Sequence, residues 1–185
     1  MSVPANVMHL PRTRVAVLVE EEFEDAELLG PVEALRRAGT EVVIVGPVAG
    51  GAYQGRQGAS VAADMPAARV RVKDLAGLVI PGGHAPDRMR LRHAMVDLAR
   101  DATASDKVVA AIGRGPQLLI SANALRSRTL TCWPSIAVDV KNAGGLYVDK
   151  PVVVDRNLVT SRKVDDVPVF CEALLGALRA ARSST

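Results

Sequence analysis

The chain has 185 residues, a length that suits one compact domain. Hydrophobic residues make up 49% of the sequence and aromatic residues only 3%, so the core should consist of Val, Leu, Ile and Ala, as in a buried parallel sheet covered by helices. The net charge of +3 is spread along the chain, without the clustered basic stripe of nucleic-acid-binding proteins. No apolar run reaches the roughly 20 residues of a membrane helix. We therefore expect neither nucleic-acid binding nor membrane insertion.

The two cysteines, Cys132 and Cys171, have a spacing that matches no metal site and no redox pair. Reduced thiols of this kind predict a cytoplasmic protein. Residues 1–13 contain no apolar run long enough for a signal peptide, and we interpret them as a mobile leader. The sequence thus predicts a single domain over residues 14–181 and a frayed tail over residues 182–185.

The hydrophobic pattern predicts alternating strands and helices. In the first half it predicts a strand at 15–19, a helix at 24–39 that Pro31 kinks or breaks near Gly30, a strand at 41–45, a hairpin within 50–61 and a strand at 78–80. In the second half it predicts a helix at 86–103, a strand at 108–112, a helix at 116–122, a strand at 129–132, a helix at 135–143, a hairpin of 152–154 with 158–160 and a closing helix at 167–178. This alternation is typical of an α/β sandwich.

In α/β sandwiches the active crevice lies beyond the carboxyl ends of the parallel strands. Four segments of this chain are predicted to reach that edge: 20–25, 81–87, 113–117 and 132–134. We therefore expect the functional site to be built from these four segments.

The same segments carry a family resemblance. The stretches EEFEDAELLGPVEALRRAG, LVIPGGHAPDRMR and VVAAIGRGPQLLISA resemble the opening turn, the glycine-rich oxyanion segment and the nucleophile elbow of the PfpI superfamily, and the similarity runs from Val15 to Leu178. This group contains intracellular proteases and Parkinsonism-associated deglycases with a class I glutamine amidotransferase-like fold. The resemblance implies a flavodoxin-like, Rossmann-like three-layer sandwich with a mostly parallel central sheet. It also implies a homodimer or higher homo-oligomer.

The elbow departs from the family pattern. Where the family reads Ala-Ile-Cys-His-Gly-Pro, this chain reads Ala-Ile-Gly-Arg-Gly-Pro, so Gly113 occupies the position of the nucleophile and Arg114 that of the adjacent histidine. Glycine has no side chain to attack a substrate. Arginine stays protonated and cannot replace histidine as a general base. Natural loss of activity and an engineered double replacement both remain open.

The resemblance also assigns the rest of the relic site. It gives Glu24 the role of the acid that contacts the cysteine, and Asp87 that of a carboxylate reaching the histidine of a neighbouring subunit. The backbone groups of Gly83 and Arg114 would form the oxyanion hole. Glu24 could instead be a solvated acid of the first helical turn, and Asp87 could cap the helix that follows Pro86.

Three further residues are candidates for lining the pocket: His84, Cys132 and Trp133. Cys132 could be a displaced nucleophile, although a small buried side chain is the simpler interpretation. Trp133 could equally fill a gap between elements. Glu24 with His84 is too small a ligand set for zinc, and we expect no metal and no cofactor.

Two classes of function follow. The first is a non-catalytic binding, scaffold or regulatory protein that holds a small anionic ligand at the elbow. The alternative is a hydrolase (protease or amidase) or a glyoxalase- or deglycase-like enzyme in which Glu24 acts without a covalent intermediate. In the oligomer, Arg114 should pair with Asp87 of a neighbouring subunit rather than with its own Glu24.

Overall fold

The computed structural model describes residues 13–184. Its strands are β1 (Arg14–Leu18), β2 (Glu41–Gly46), β3 (Ala52–Gln54), β4 (Ser60–Ala62), β5 (Met65–Pro66), β6 (Gly77–Ile80), β7 (Val108–Ile112), β8 (Thr129–Leu130), β9 (Leu146–Tyr147), β10 (Val152–Asp155) and β11 (Leu158–Ser161). Its α-helices are α1 (Asp25–Arg37), α2 (Ala85–Met89), α3 (His93–Ala104), α4 (Pro116–Ser121), α5 (Ala137–Asn142) and α6 (Val167–Ser183).

Seven strands form the central sheet in the order β10-β11-β7-β6-β1-β2-β5. All neighbouring pairs are parallel except β10 with β11. The inner strands β6, β7 and β11 are buried along their whole length, because helices cover both faces of the sheet. Helix α1 packs on α6 and β2, whereas α3 packs on β6, β7 and α4. The predicted α/β sandwich with a mostly parallel sheet is confirmed.

Four element predictions need correction. Helix α1 runs without a break through Pro31, which is buried where α1 approaches α6 so closely that a Cβ on Gly30 would lie 2.6 Å from Val167 Cγ1. The predicted helix at 86–103 is two helices, α2 and α3. The chain leaves helical geometry at Arg92 (φ −100°, ψ 100°), whose Nε donates to the buried carboxylate of Glu20 at 3.1 Å.

The strand predicted at 129–132 is only the two-residue β8, which pairs with β9 outside the central sheet. Helix α6 extends to Ser183, through half of the predicted tail, because its apolar face continues to pack on the sheet up to Leu178 and the helix adds one further turn. The predicted leader lies outside the described residues except for Thr13, whose carbonyl accepts a hydrogen bond from Glu41 N–H. Within residues 13–184, no helix combines the length and apolar character needed to cross a membrane.

Candidate functional site

The elbow at the end of β7 has the geometry that its glycine predicts. Gly113 has φ of 63°, in the left-handed region, where a residue with a side chain costs about 1–2 kcal/mol. Its N–H donates to the carbonyl of Ser161 at 3.1 Å, and its carbonyl accepts from Trp133 N–H at 2.8 Å. The elbow is therefore tied to the end of β11 on one side and to the segment after β8 on the other.

The acid that faces the elbow is Glu27, not Glu24. Glu27 is only 4% exposed, and its Oε2 accepts a hydrogen bond from Gly82 N–H at 2.9 Å. A Cβ on Gly113 would lie 2.7 Å from Glu27 Oε1, so this carboxyl group lies directly against the elbow. Glu24 lies before the first turn of α1, and its carboxylate pairs with Arg56 at 3.3 Å.

The sequence had assigned Glu24 as the acid beside the elbow, three residues before Glu27. Three residues are close to one helical turn, so both acids lie on the same side of α1. The signal that could have found Glu27 is its spacing of four residues before Pro31 and eight before Leu35, which puts it on the apolar face of an amphipathic helix. An acid on a buried face is the exception that marks a functional or paired group.

Burial, and then the nearby charge of Glu24, raise the pKa of Glu27 to about 7. The hydrogen bond from Gly82 and the charges of Arg114 and Arg56 act in the opposite direction. Near neutral pH the Glu27 carboxyl group is therefore present in both protonation states, which suits a group that exchanges a proton.

A cavity of about 290 Å³, here called the elbow cavity, opens beside Gly113. It is lined by Glu24, Glu27, Arg56, Gly83, Gly113, Arg114, Trp133, Lys163, Val164 and Asp165. Sequence reasoning found the elbow, Gly83, Trp133 and Glu24 but missed Arg56 and residues 163–165. Residues 163–165 follow β11. Because β11 is parallel to its neighbour β7, the carboxyl ends of both strands lie at the same edge of the sheet.

Arg56 reaches the cavity from the loop between β3 and β4. Asp25, the first residue of α1, holds that loop: its carboxylate accepts from Gln57 N–H at 3.1 Å and from Ala59 N–H at 2.8 Å. The N–H of Arg56 itself donates to the carbonyl of Phe23. The sequence contains no local signal for this contact, because it joins segments more than thirty residues apart.

Two of the three cations that line the elbow cavity are paired with carboxylates. Arg56 meets Glu24 at 3.3 Å, and Lys163 meets Asp165 at 3.5 Å. The guanidinium of Arg114 makes no hydrogen bond or ion pair with any of residues 13–184. Among residues 13–184, Arg114 is thus the cavity cation without an ion-pair partner, although its charge lowers the pKa of Glu27.

Two backbone N–H groups near the Arg114 guanidinium are also available to bind an anion. The N–H groups of Gly83 and Arg114 have no hydrogen-bond partner within the described part of the chain. Phe23 and Gly83 lie opposite each other in an antiparallel β-bridge, whose two hydrogen bonds are donated by the N–H groups of Glu24 and His84. The two loops touch, since a Cβ on Gly82 would lie 3.0 Å from Arg114 N. Unpaired N–H groups beside a guanidinium form a favourable environment for an anionic or carbonyl oxygen.

A second cavity of about 590 Å³, here called the outer groove, shares Gly83 and Arg114 with the elbow cavity. Its lining includes His84, Asp87, Gln117 and Asp139, and Arg114 and Gly83 line both cavities. His84 therefore belongs to the outer groove rather than to the elbow cavity, and its Nδ1 lies 3.8 Å from a carboxylate oxygen of Glu22.

Asp87 does not cap a helix. It is exposed in the first turn of α2, whose N-cap position is His84, and no side-chain capping bond is present there. The Asp87 carboxylate makes no ion pair with another residue in the range 13–184. It is free to meet a partner that enters the outer groove.

Cys132 is fully buried and does not line either cavity. Burial, and then the charge of Asp139, raise the pKa of its thiol to about 12, so the thiol stays protonated near neutral pH. This does not support the displaced-nucleophile interpretation, because the thiolate is the reactive form. Burial also raises the pKa of Cys171 in α6 to about 11. Among residues 13–184, no three His, Cys, Asp or Glu side chains are grouped to hold a metal ion.

The model of the DJ-1/PfpI family matches residues 13–177. The chain belongs to the DJ-1/PfpI family. It is 44% identical over 169 residues to protein/nucleic acid deglycase 2 of Escherichia coli K12, covering 90% of this chain and 98% of the relative. An uncharacterized protein of Archaeoglobus fulgidus is 46% identical over 169 residues, with the same coverage of both chains.

Solved structures agree with the family assignment. A two-domain protein from Anabaena variabilis with DJ-1/ThiJ/PfpI-like and ferritin-like domains is 39% identical, with a TM-score of 0.89. The comparison covers 90% of this chain and 48% of that longer one. Drosophila melanogaster DJ-1beta is 27% identical with a TM-score of 0.81, covering 94% of this chain and 97% of DJ-1beta.

Proposed function

We propose that this DJ-1/PfpI protein binds a small anionic molecule in the elbow cavity and acts as a binding or regulatory protein without covalent catalysis. The observation that carries the proposal is Gly113, which leaves the elbow without a nucleophile while its left-handed geometry is intact. Both cysteines are buried away from the cavity, so neither supplies the missing thiolate.

The proposed ligand is anionic because of what the cavity leaves unpaired. Arg114 is the cation without a carboxylate partner from residues 13–184, and the N–H groups of Gly83 and Arg114 lie beside it. A carboxylate could accept bonds from the guanidinium and from the backbone donors together. The volume of the elbow cavity suits a molecule of few atoms, and the half-exposed ring of Trp133 provides one apolar wall.

We expect acetate to bind wild-type protein and Arg114→Gln to weaken the binding about 10- to 100-fold, because a hydrogen bond to a charged group contributes about 1.5–3 kcal/mol. Titration of acetate followed by NMR chemical shifts measures the dissociation constants, with neutral acetamide as the ligand control. Arg179→Gln, an exposed arginine on α6, is the matched protein control and should bind like wild type. Equal affinity for acetate and acetamide would contradict the proposal.

A second candidate function is proton-transfer catalysis by Glu27. The pKa of about 7 favours it, since a general base works best when its pKa lies near the working pH. Glu27 takes the role that the sequence had given to Glu24, whose carboxylate is held by Arg56. The resemblance to a deglycase of Escherichia coli is consistent with such an activity but does not establish it for this chain.

The outer groove supports a homodimer or higher homo-oligomer. It contains an unpaired cation, Arg114, and an exposed carboxylate, Asp87, so two copies of this surface are complementary in charge when a two-fold axis relates them. Arginine has five donors, which allows one edge of the Arg114 guanidinium to face the partner while another faces the elbow cavity. A cytoplasmic location also stays a proposal, based on the two free cysteines.

We expect sedimentation at micromolar concentration to give a species of at least twice the 19.5 kDa chain mass. Asp87→Lys should weaken the assembly, because it places two cations opposite each other. Asp97→Lys, an exposed acid on α3, is the control and should leave the assembly intact. A single species near 19.5 kDa would disprove the oligomer, and an unchanged Asp87→Lys assembly would remove this ion pair from it.

A further inference from the structure

We infer that Glu27 takes up a proton when a carboxylate binds in the elbow cavity, so that ligand affinity is lost as the pH rises above neutral. The inference rests on the proposed anion site and concerns its regulation. Three features of the site carry it: the position of the Glu27 carboxyl group, the balance of charge around it, and the space beside Gly113.

The Glu27 carboxyl group forms one wall of the space that a ligand would enter. One oxygen, Oε2, is held by Gly82 N–H at 2.9 Å. The other, Oε1, lies 2.7 Å from the point that a Cβ of residue 113 would occupy, and Gly113 places no atom there. A carboxylate that reaches the elbow must therefore come within hydrogen-bond distance of Glu27.

The surrounding charges come from four elements. The start of α1 contributes Glu24, the β3–β4 loop Arg56, the elbow Arg114, and the loop between β11 and α6 Lys163 and Asp165. Two of these cations are matched by the carboxylates of Glu24 and Asp165. In the outer groove, which Arg114 also lines, Arg88 pairs with Glu22, and His84, Asp87 and Asp139 are the other titratable groups of the lining.

One cation is therefore left to balance two negative charges, those of an ionised Glu27 and of the ligand. Two carboxylates at close range in a poorly solvated site do not both stay ionised, and one of them takes up a proton. We expect Glu27 to be the group that is protonated, because its pKa is already raised to about 7, mainly by burial. Once protonated, its O–H can donate to the carboxylate of the ligand.

The expected signature is one proton taken up for each acetate bound above pH 7. At pH 8 to 9 the dissociation constant of acetate should rise about tenfold per pH unit, and below about pH 6 it should be constant. A pH-stat titration of unbuffered protein with acetate counts the protons directly, and NMR titration gives the dissociation constants. The proton count needs only the wild-type chain.

The Glu27→Gln substitution tests whether Glu27 is the group that takes up the proton. An amide at this position keeps an acceptor for Gly82 N–H and supplies a permanent donor to the ligand, so acetate should bind with no proton uptake and no dependence on pH. Glu33→Gln, on the exposed side of the same helix, is the matched control and should behave as wild type.

The outcomes distinguish this inference from the proposed function. Absence of acetate binding at every pH would overturn the anion site and the proton coupling with it. Acetate binding without proton uptake by wild-type protein would overturn the coupling alone. A wild-type pH slope that persists in folded Glu27→Gln, checked by circular dichroism, would assign the proton to another group and overturn the role of Glu27.

Discussion

Replacing Gly113 by Cys together with Arg114 by His should create thiol-dependent turnover of methylglyoxal, for which we expect no activity in the parent chain. The elbow already has the left-handed φ of 63°, and the N–H groups of Gly83 and Arg114 are unpaired within residues 13–184. A thiolate at this turn would meet the environment that lowers thiol pKa values. The rate of methylglyoxal turnover should exceed that of the parent chain by a factor on the order of 10³ or more, which is the scale on which principal catalytic groups act.

Glu27 must move to accept the new side chain. A Cβ at residue 113 would approach Glu27 Oε1 to 2.7 Å, which is too close, but the carboxyl group is the far end of a flexible side chain and can shift away. The matched control is Gly113→Ser with Arg114→His, which introduces a similar side chain without a thiol. Assays of methylglyoxal and peptide substrates, with and without iodoacetamide, measure the effect.

Each result of this experiment decides a specific point. A folded but inactive Cys-His variant would show that more than the elbow has changed. Parent turnover that iodoacetamide abolishes through labelling of Cys132 would overturn the absence of thiol chemistry. Parent turnover that survives iodoacetamide and is lost in Glu27→Gln would favour the second candidate function, proton transfer by Glu27.

Gly83→Ala should destabilise the protein by about 3 kcal/mol. Gly83 has φ of 77°, and an added Cβ would lie 2.5 Å from both Glu22 O and Glu24 N, which are backbone atoms that cannot rotate away. The left-handed conformation costs about 1–2 kcal/mol for alanine, and the overpacking about 1–3 kcal/mol more. Urea denaturation measures the free energy of unfolding, and Tm should fall by roughly 6–12 °C.

Gly39→Ala is the matched control for this prediction. Gly39 has nearly the same φ, 78°, but no atom lies within 4 Å of the position of its Cβ. It should therefore report the backbone cost alone, about 1–2 kcal/mol. Equal losses of stability in the two variants would contradict the close packing of Gly83 against residues 22–24.

The sequence by itself determined the fold class and the chemistry of the elbow. The β-branched runs of β1, β2, β6 and β7 predicted these strands almost to the residue, because a strand buried on both faces requires a continuous apolar run. The glycine at the elbow could also be interpreted without a structure. It removes a side chain in any conformation, and it adopts positive φ at little cost.

Only the tertiary structure decided which residues meet at the elbow. Glu24 and Glu27 lie on the same side of α1, and the depth at which α1 enters the fold, rather than any local pattern, places Glu27 against Gly113. Arg56 and Lys163 reach the elbow cavity from loops far away in sequence. Local propensity acts over a few neighbouring residues, whereas the packing of the sheet sets these contacts and the raised pKa of the Glu27 carboxyl group that burial produces.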